Sequence, residues 1–165
     1  MASSGTLKVT TPTDREIAMT RVFDAPRRLV FEAYTRPELL KRWLGVHAGW
    51  SLAVCEIDLR VGGAYRYVWR GPDGAEMGMG GVYREIVRNE RIVATEKFDQ
   101  SWYPGEAVGT VVLLEQGGRT TLTMTVRYQS KEVRDMVLKT PMASGVEAGF
   151  NKLAELLPTM AQEIK

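Results

Sequence analysis

The sequence predicts an α+β domain in which one antiparallel sheet is set apart from its helices. Apolar residues fall in alternate positions over 15–24, 50–61, 65–70, 77–88, 91–99, 107–116 and 119–128, the half-buried strand pattern. Most of these segments are joined by turns too short for a crossover helix, so neighbours run antiparallel. Helical spacing is confined to a stretch after the first strand and to the end of the chain, unlike the alternation of a doubly wound sheet. The 165 residues, 44% hydrophobic and 25% charged, suit one ordinary globular core.

In the first strand, Ile17, Met19, Arg21 and Phe23 share one phase. Pro26 suits the first turn of a helix carrying Leu29, Val30 and Ala33, because its missing N–H would have had no helical partner. Pro37 opens a second short helix with Leu39, Leu40 and Trp43, and Gly45 is a stop signal. Cys55, Ile57, Leu59 and Val61 share a phase of the next strand, which ends at Gly62-Gly63. Tyr65, Tyr67 and Trp69 then alternate with Arg66, Val68 and Arg70, and the aromatic phase is expected to face inward. Gly71-Pro72-Asp73-Gly74, Arg88-Asn89-Glu90 and Gly117-Gly118 read as turns. Ser130 is placed to cap a helix over 131–139, and Thr140-Pro141 to open the last helix. There Met142, Val146, Phe150, Leu153, Leu157 and Met160 recur at three- and four-residue spacing, with Pro158 expected to end or kink the helix. The expected layout is a flexible lead-in over 1–14, one domain over 15–158 and a tail over 159–165. A sheet of six or seven strands curved around a single amphipathic helix leaves interior space, a route to an internal pocket.

TRVFDAPRRLVFEAYTRPELLKRW (20–43), CEIDLRVGGAYRYVWRGPDG (55–74), GGVYREIVRNERIV (80–93) and GVEAGFNKLAELL (145–157) together resemble a known family. It is the heat-shock protein 90 ATPase activator-like branch of the START/SRPBCC, or helix-grip, superfamily. The resemblance implies a seven-stranded antiparallel sheet wrapped around the C-terminal helix, with a cavity that takes an apolar or amphipathic small molecule. The chain looks like the single-domain bacterial type, so a chaperone partner is not expected. The family pattern often has two tryptophans after the second helix, where this chain reads Trp43-Leu44.

Charge and motifs narrow the function. With 22 Lys+Arg against 20 Asp+Glu, the chain has no overall electrostatic case for nucleic acid. No run of about 18 apolar residues exists for a membrane span. The single cysteine, Cys55, allows no internal disulfide and fits a cytoplasmic setting. One histidine, His47, and no G-x-S-x-G argue against a Ser-His-Asp hydrolase, and no Cys/His cluster suggests zinc. No catalytic residue, metal or cofactor is assigned.

The candidate cavity residues are Arg21, Phe23, Trp43, Tyr67, Trp69, Met79, Tyr83, Glu96, Met124, Met142, Gly145, Gly149 and Phe150. Arg21 in an apolar phase either orients a ligand carboxylate or carbonyl, or pairs with a carboxylate such as Glu96. The aromatics and methionines either line a hollow or fill an ordinary core. Trp43 and Trp50 flank His47 in a segment suited to a pocket lip. Gly145 and Gly149 each cost about 0.8–1.0 kcal/mol relative to alanine in a helix, so they serve either close packing or room for a ligand. The leading expectation is a small-molecule binding module. An enzyme of cyclase, dehydratase or hydrolase type would need Arg21, Tyr67, Tyr83 or Glu96 to converge inside the pocket with shifted pKa values. A co-chaperone would need a surface patch for heat-shock protein 90. A homodimer through an exposed strand or the tryptophan-bearing segment is compatible with the sequence.

Overall fold

The computed structural model describes residues 6–163. Strands β1 (Lys8–Thr10) and β2 (Glu16–Phe23) are followed by helices α1 (Arg27–Thr35) and α2 (Pro37–Leu40). Then come β3 (Ser51–Ile57), β4 (Ala64–Arg70), β5 (Glu76–Val87), β6 (Arg91–Phe98), β7 (Ala107–Gln116) and β8 (Arg119–Arg127). Helices α3 (Lys131–Leu138) and α4 (Met142–Glu163) close the chain. One sheet runs β1-β2-β8-β7-β6-β5-β4-β3, and its neighbours are antiparallel. Among the described residues no helix is long and apolar enough to cross a membrane.

The sheet has eight strands, not seven. The additional one, β1, lies in the segment expected to be a flexible lead-in, and it pairs Lys8 with Thr20 and Thr10 with Ala18. Residues 1–5 of that segment lie outside the described residues. At the other end α4 continues past Pro158 to Glu163, so residues 159–163 extend the helix rather than form a tail. Met160 explains the continuation, because its side chain is buried with Leu156 and Leu157 and that packing outweighs the local cost of proline.

Local chemistry accounts for the element boundaries. Pro26 is the residue just before α1, and the free N–H of Arg27 donates to the Glu115 carboxylate at 2.8 Å. That cap comes from β7, far along the chain. Pro37 occupies the first turn of α2, as its fixed φ favours. Ser130 Oγ accepts from Val133 N–H at 3.2 Å and caps α3. Gly117 and Gly118 have φ of 59° and 78°, the left-handed pair that a two-residue hairpin between β7 and β8 requires.

The inward phase is the aromatic one. Tyr65 and Trp69 are buried, and Tyr67 is half-buried between them. β5 shifts register between Tyr83↔Ala94 and Glu85↔Val93, and just before that shift Gly81 and Val82 pass close to Thr95. There the Tyr65 hydroxyl donates to the Thr95 carbonyl at 2.6 Å, and Val82 N–H donates to Thr95 Oγ1 at 2.8 Å. A Cβ at Gly81 would collide with the Thr95 carbonyl. The apolar interior falls into two clusters. The larger joins α1, α2 and α4 to the sheet, and the smaller gathers Ile17, Met19, Tyr103, Val126, Tyr128, Val133 and Val137.

Candidate functional site

Residues 43–50, between α2 and β3, form a strap that crosses from α4 to the β4–β5 turn. Positive φ values at Gly45 (68°), Ala48 (52°) and Gly49 (84°) bend it. Trp43 anchors one end. It is buried, its indole N–H donates to Ala33 O at 3.1 Å, and its ring meets Tyr34 and Phe150 with centroids 4.9 and 6.0 Å away. Trp69 holds the middle by donating its indole N–H to Leu44 O at 3.0 Å, and its ring occupies the space a side chain at Gly45 would need. At the far end the Trp50 ring lies against Gly71.

Helix α4 meets the strap through its two glycines. An ideal Cβ at Gly149 would lie 3.2 Å from Trp43 O, and one at Gly145 would lie 3.4 Å from His47 Nε2. Gly149 therefore serves close approach to the strap, whereas a Cβ at Gly145 would make only ordinary contact with it. Beyond them α4 divides into two halves. Phe150, Leu153, Leu157 and Met160 are buried, whereas Met142, Gly145 and Val146 keep accessible surface.

A pocket of about 650 Å³ opens beside that accessible half. Its walls are one face of α4 and its lead-in, with Thr140, Met142, Gly145, Val146 and Gly149, together with the strap, Tyr34 on α1, Trp69 and Met77 on β4 and β5, Phe98 and Trp102 around the β6–β7 connection, and Met124 on β8. The chain has four tryptophans, and all of them, Trp43, Trp50, Trp69 and Trp102, line this one pocket. Among the described residues no Lys, Arg, Asp or Glu does. His47, Thr140, Ser144 and the Tyr34 hydroxyl supply the polar side-chain atoms. Burial raises the Tyr34 hydroxyl above the ordinary phenol range, so it stays protonated and donates weakly to Met124 Sδ at 4.0 Å.

Of the residues expected in the cavity, Trp43, Trp69, Met124, Met142, Gly145, Gly149 and Phe150 line the pocket. Arg21, Phe23, Tyr67, Met79, Tyr83 and Glu96 do not. Phe23 is fully buried edge-on against Phe150, with centroids 5.6 Å apart, and Met79 is also buried. Tyr67 and Tyr83 both pack against the buried Tyr65, with ring centroids 4.9 and 5.5 Å away, and burial pushes both hydroxyls up. Arg21 does not pair with Glu96. It is buried under α4, where it donates to Asn151 Oδ1 at 2.6 Å and lies 5.4 Å from the Phe23 ring centre. The two lie toward opposite ends of their strands: Arg21 is in register with Leu122 and through it Leu113, whereas Glu96 pairs with Ala107. Burial lowers the Arg21 pKa, and the Glu147 charge partly restores it.

Glu96 instead accepts the Tyr103 hydroxyl at 2.9 Å, and burial raises its carboxyl above the ordinary range. Arg21 and Glu96 are thus apart, and none of Arg21, Tyr67, Tyr83 and Glu96 lines the pocket. Tyr34, Phe98, Trp102 and Val146 line the pocket without having stood out in the sequence. Trp102 sits in a connection with no periodicity to assign it a side. Phe98 shares a phase with Ile92 and Ala94, which was a usable signal. Among the described residues no group of three or more His, Cys, Asp and Glu side chains is placed to hold a metal ion.

Comparison with known proteins follows from this geometry. Solved structures with the same fold include a Rhodobacter sphaeroides protein at 30% identity and TM-score 0.89, covering 94% of this chain and 99% of that one. A Nitrosomonas europaea protein aligns at 24% identity and TM-score 0.81, over 92% and 99% of the two chains. A Chromobacterium violaceum protein aligns at 28% identity and TM-score 0.71, over 88% and 98%. No curated protein matches the sequence. The family model described as Activator of Hsp90 ATPase homolog 1-like protein matches residues 24–158, which span α1 through most of α4 and every wall of the pocket. With an α+β helix-grip architecture and a family match over most of its length, the chain belongs to the Activator of Hsp90 ATPase homolog 1-like family.

Proposed function

We propose that this protein binds a small apolar or amphipathic molecule in the pocket between the strap, the sheet and the N-terminal half of α4, and holds it without covalent chemistry. The observation that carries the reading is the convergence of all four tryptophans on one concavity whose wall, among the described residues, has no Lys, Arg, Asp or Glu. A volume near 650 Å³ falls in the range of roughly 300–1,000 Å³ common for small-molecule sites. Aromatic walls supply large contact area, and methionines such as Met77, Met124 and Met142 adapt to varied shapes. We read the protein as cytoplasmic, which its single buried cysteine suits.

Native mass spectrometry of gently purified protein tests the reading. The expected result is an added mass that disappears on denaturation, or a melting shift with members of a lipid and aromatic-metabolite panel. A clean ligand-free mass together with no stabilisation by any panel member would overturn it.

A further inference from the structure

Among the described residues one half-buried carboxyl, Glu96, is left without an ion-pair partner close behind the pocket wall. Glu96 lies on the same face of β6 as Phe98, which lines the pocket. Two residues along a strand span about 6.6 Å. Tyr103, the donor to Glu96, packs against Phe98 and Trp102 with centroids 5.9 and 4.9 Å away. The neighbouring sheet positions are nearly bare. Glu96 pairs with Ala107, Gly81 follows the Gly80↔Lys97 pair on the other side, and a Cβ at Gly109 would lie 4.0 Å from Glu96 Oε2. The side chain keeps part of its surface accessible. Among the described residues Tyr103 is its hydrogen-bond donor, and no Lys or Arg pairs with it.

The wall points to the same chemistry. Tryptophan faces attract cations through the ring quadrupole. Among the described residues no Lys or Arg side chain lines the pocket to repel one. A carboxylate-bearing ligand would find no cation there and would approach Glu96, a group of its own sign.

We infer that the pocket selects a lipophilic amine, with its apolar body among the tryptophans and its ammonium group hydrogen-bonded to the Glu96 carboxylate. A tether of two or three carbons covers the step from Phe98 to Glu96. The inference rests on the pocket being a ligand site and adds the class of ligand it takes.

Three matched probes test it on the full chain, by following the indole N–H signals in an NMR titration. They are tryptamine, 3-propylindole, in which a methyl replaces the ammonium, and indole-3-propionate. Tryptamine is expected to bind at least about tenfold more tightly than 3-propylindole, with the anion weakest. Glu96→Gln, its fold checked by the dispersion of the same spectrum, is expected to bring the tryptamine and 3-propylindole affinities together. Equal affinities in the unaltered protein, or a tryptamine preference that survives Glu96→Gln, would overturn the inference while leaving the pocket reading intact. Absence of a shift with all three probes would count against the pocket reading itself and take the inference with it.

Discussion

Gly45 is a residue whose missing side chain builds the site. It combines a φ of 68° with direct apposition to the Trp69 indole, whose N–H is committed to the adjacent Leu44 carbonyl. An alanine there meets both the left-handed backbone penalty and a collision with a ring that cannot move without breaking its bond. Gly45→Ala is expected to cost roughly 2–4 kcal/mol in denaturant unfolding. A loss below about 0.5 kcal/mol, the scale of an ordinary surface change, would show that the strap yields freely. The sequence marked Gly45 as a helix stop, and its positive φ agrees, but its contact with Trp69 lies across a separation no local pattern spans. The same limit applies to Phe23, Tyr67, Met79, Tyr83 and Glu96. Strand parity put Phe23 and Tyr67 on the apolar face of their strands, yet parity says nothing of depth along a strand or distance from the opening.

At the scale of elements, strands and helices with full periodicity were legible. Alternation located β2 and β4 to β8, and the Pro37 and Ser130 signals marked the starts of α2 and α3. Two features were not. β1 offers three residues, Val9 remains exposed, and the pairing with β2 that makes it a strand is tertiary. α4 runs through Pro158 because Leu156, Leu157 and Met160 bury their side chains around the site of the missing hydrogen bond. That burial implies a testable local cost. Pro158 is exposed, so Pro158→Ala restores a backbone donor without disturbing packing. The substitution is expected to raise stability by about 1–3 kcal/mol, read as a higher denaturation midpoint. A neutral or lower midpoint would mean that the proline-compatible bend is itself needed for docking α4.

For the whole molecule, Glu96 ties stability to pH. The folded chain holds the Glu96 proton to a higher pH than the unfolded chain does, because burial penalises the carboxylate. Its contribution is therefore greatest below the ordinary carboxyl value and is lost as pH rises through the folded value. Asp99 works in the opposite sense, since Arg66 holds its carboxyl below the ordinary range and that contribution fades as pH falls. Denaturant midpoints measured at pH 5 and pH 7.5 are expected to decline more in the unaltered protein than in Glu96→Gln. Identical declines would remove Glu96 as the source.

The two halves of α4 have a consequence for how the molecule opens. Phe150, Leu153, Leu156, Leu157 and Met160 fasten the second half into the larger core, whereas the first half carries two glycines and lines the pocket with Met142, Gly145, Val146 and Gly149. A single continuous helix should then show two rates of amide exchange with deuterium. The first half should exchange through brief local openings, and the second only when the whole domain unfolds. A molecule filling the pocket should slow the first half and leave the second near its original rate, so the boundary at Phe150 would separate the part of the helix that responds to occupancy from the part that keeps the domain folded.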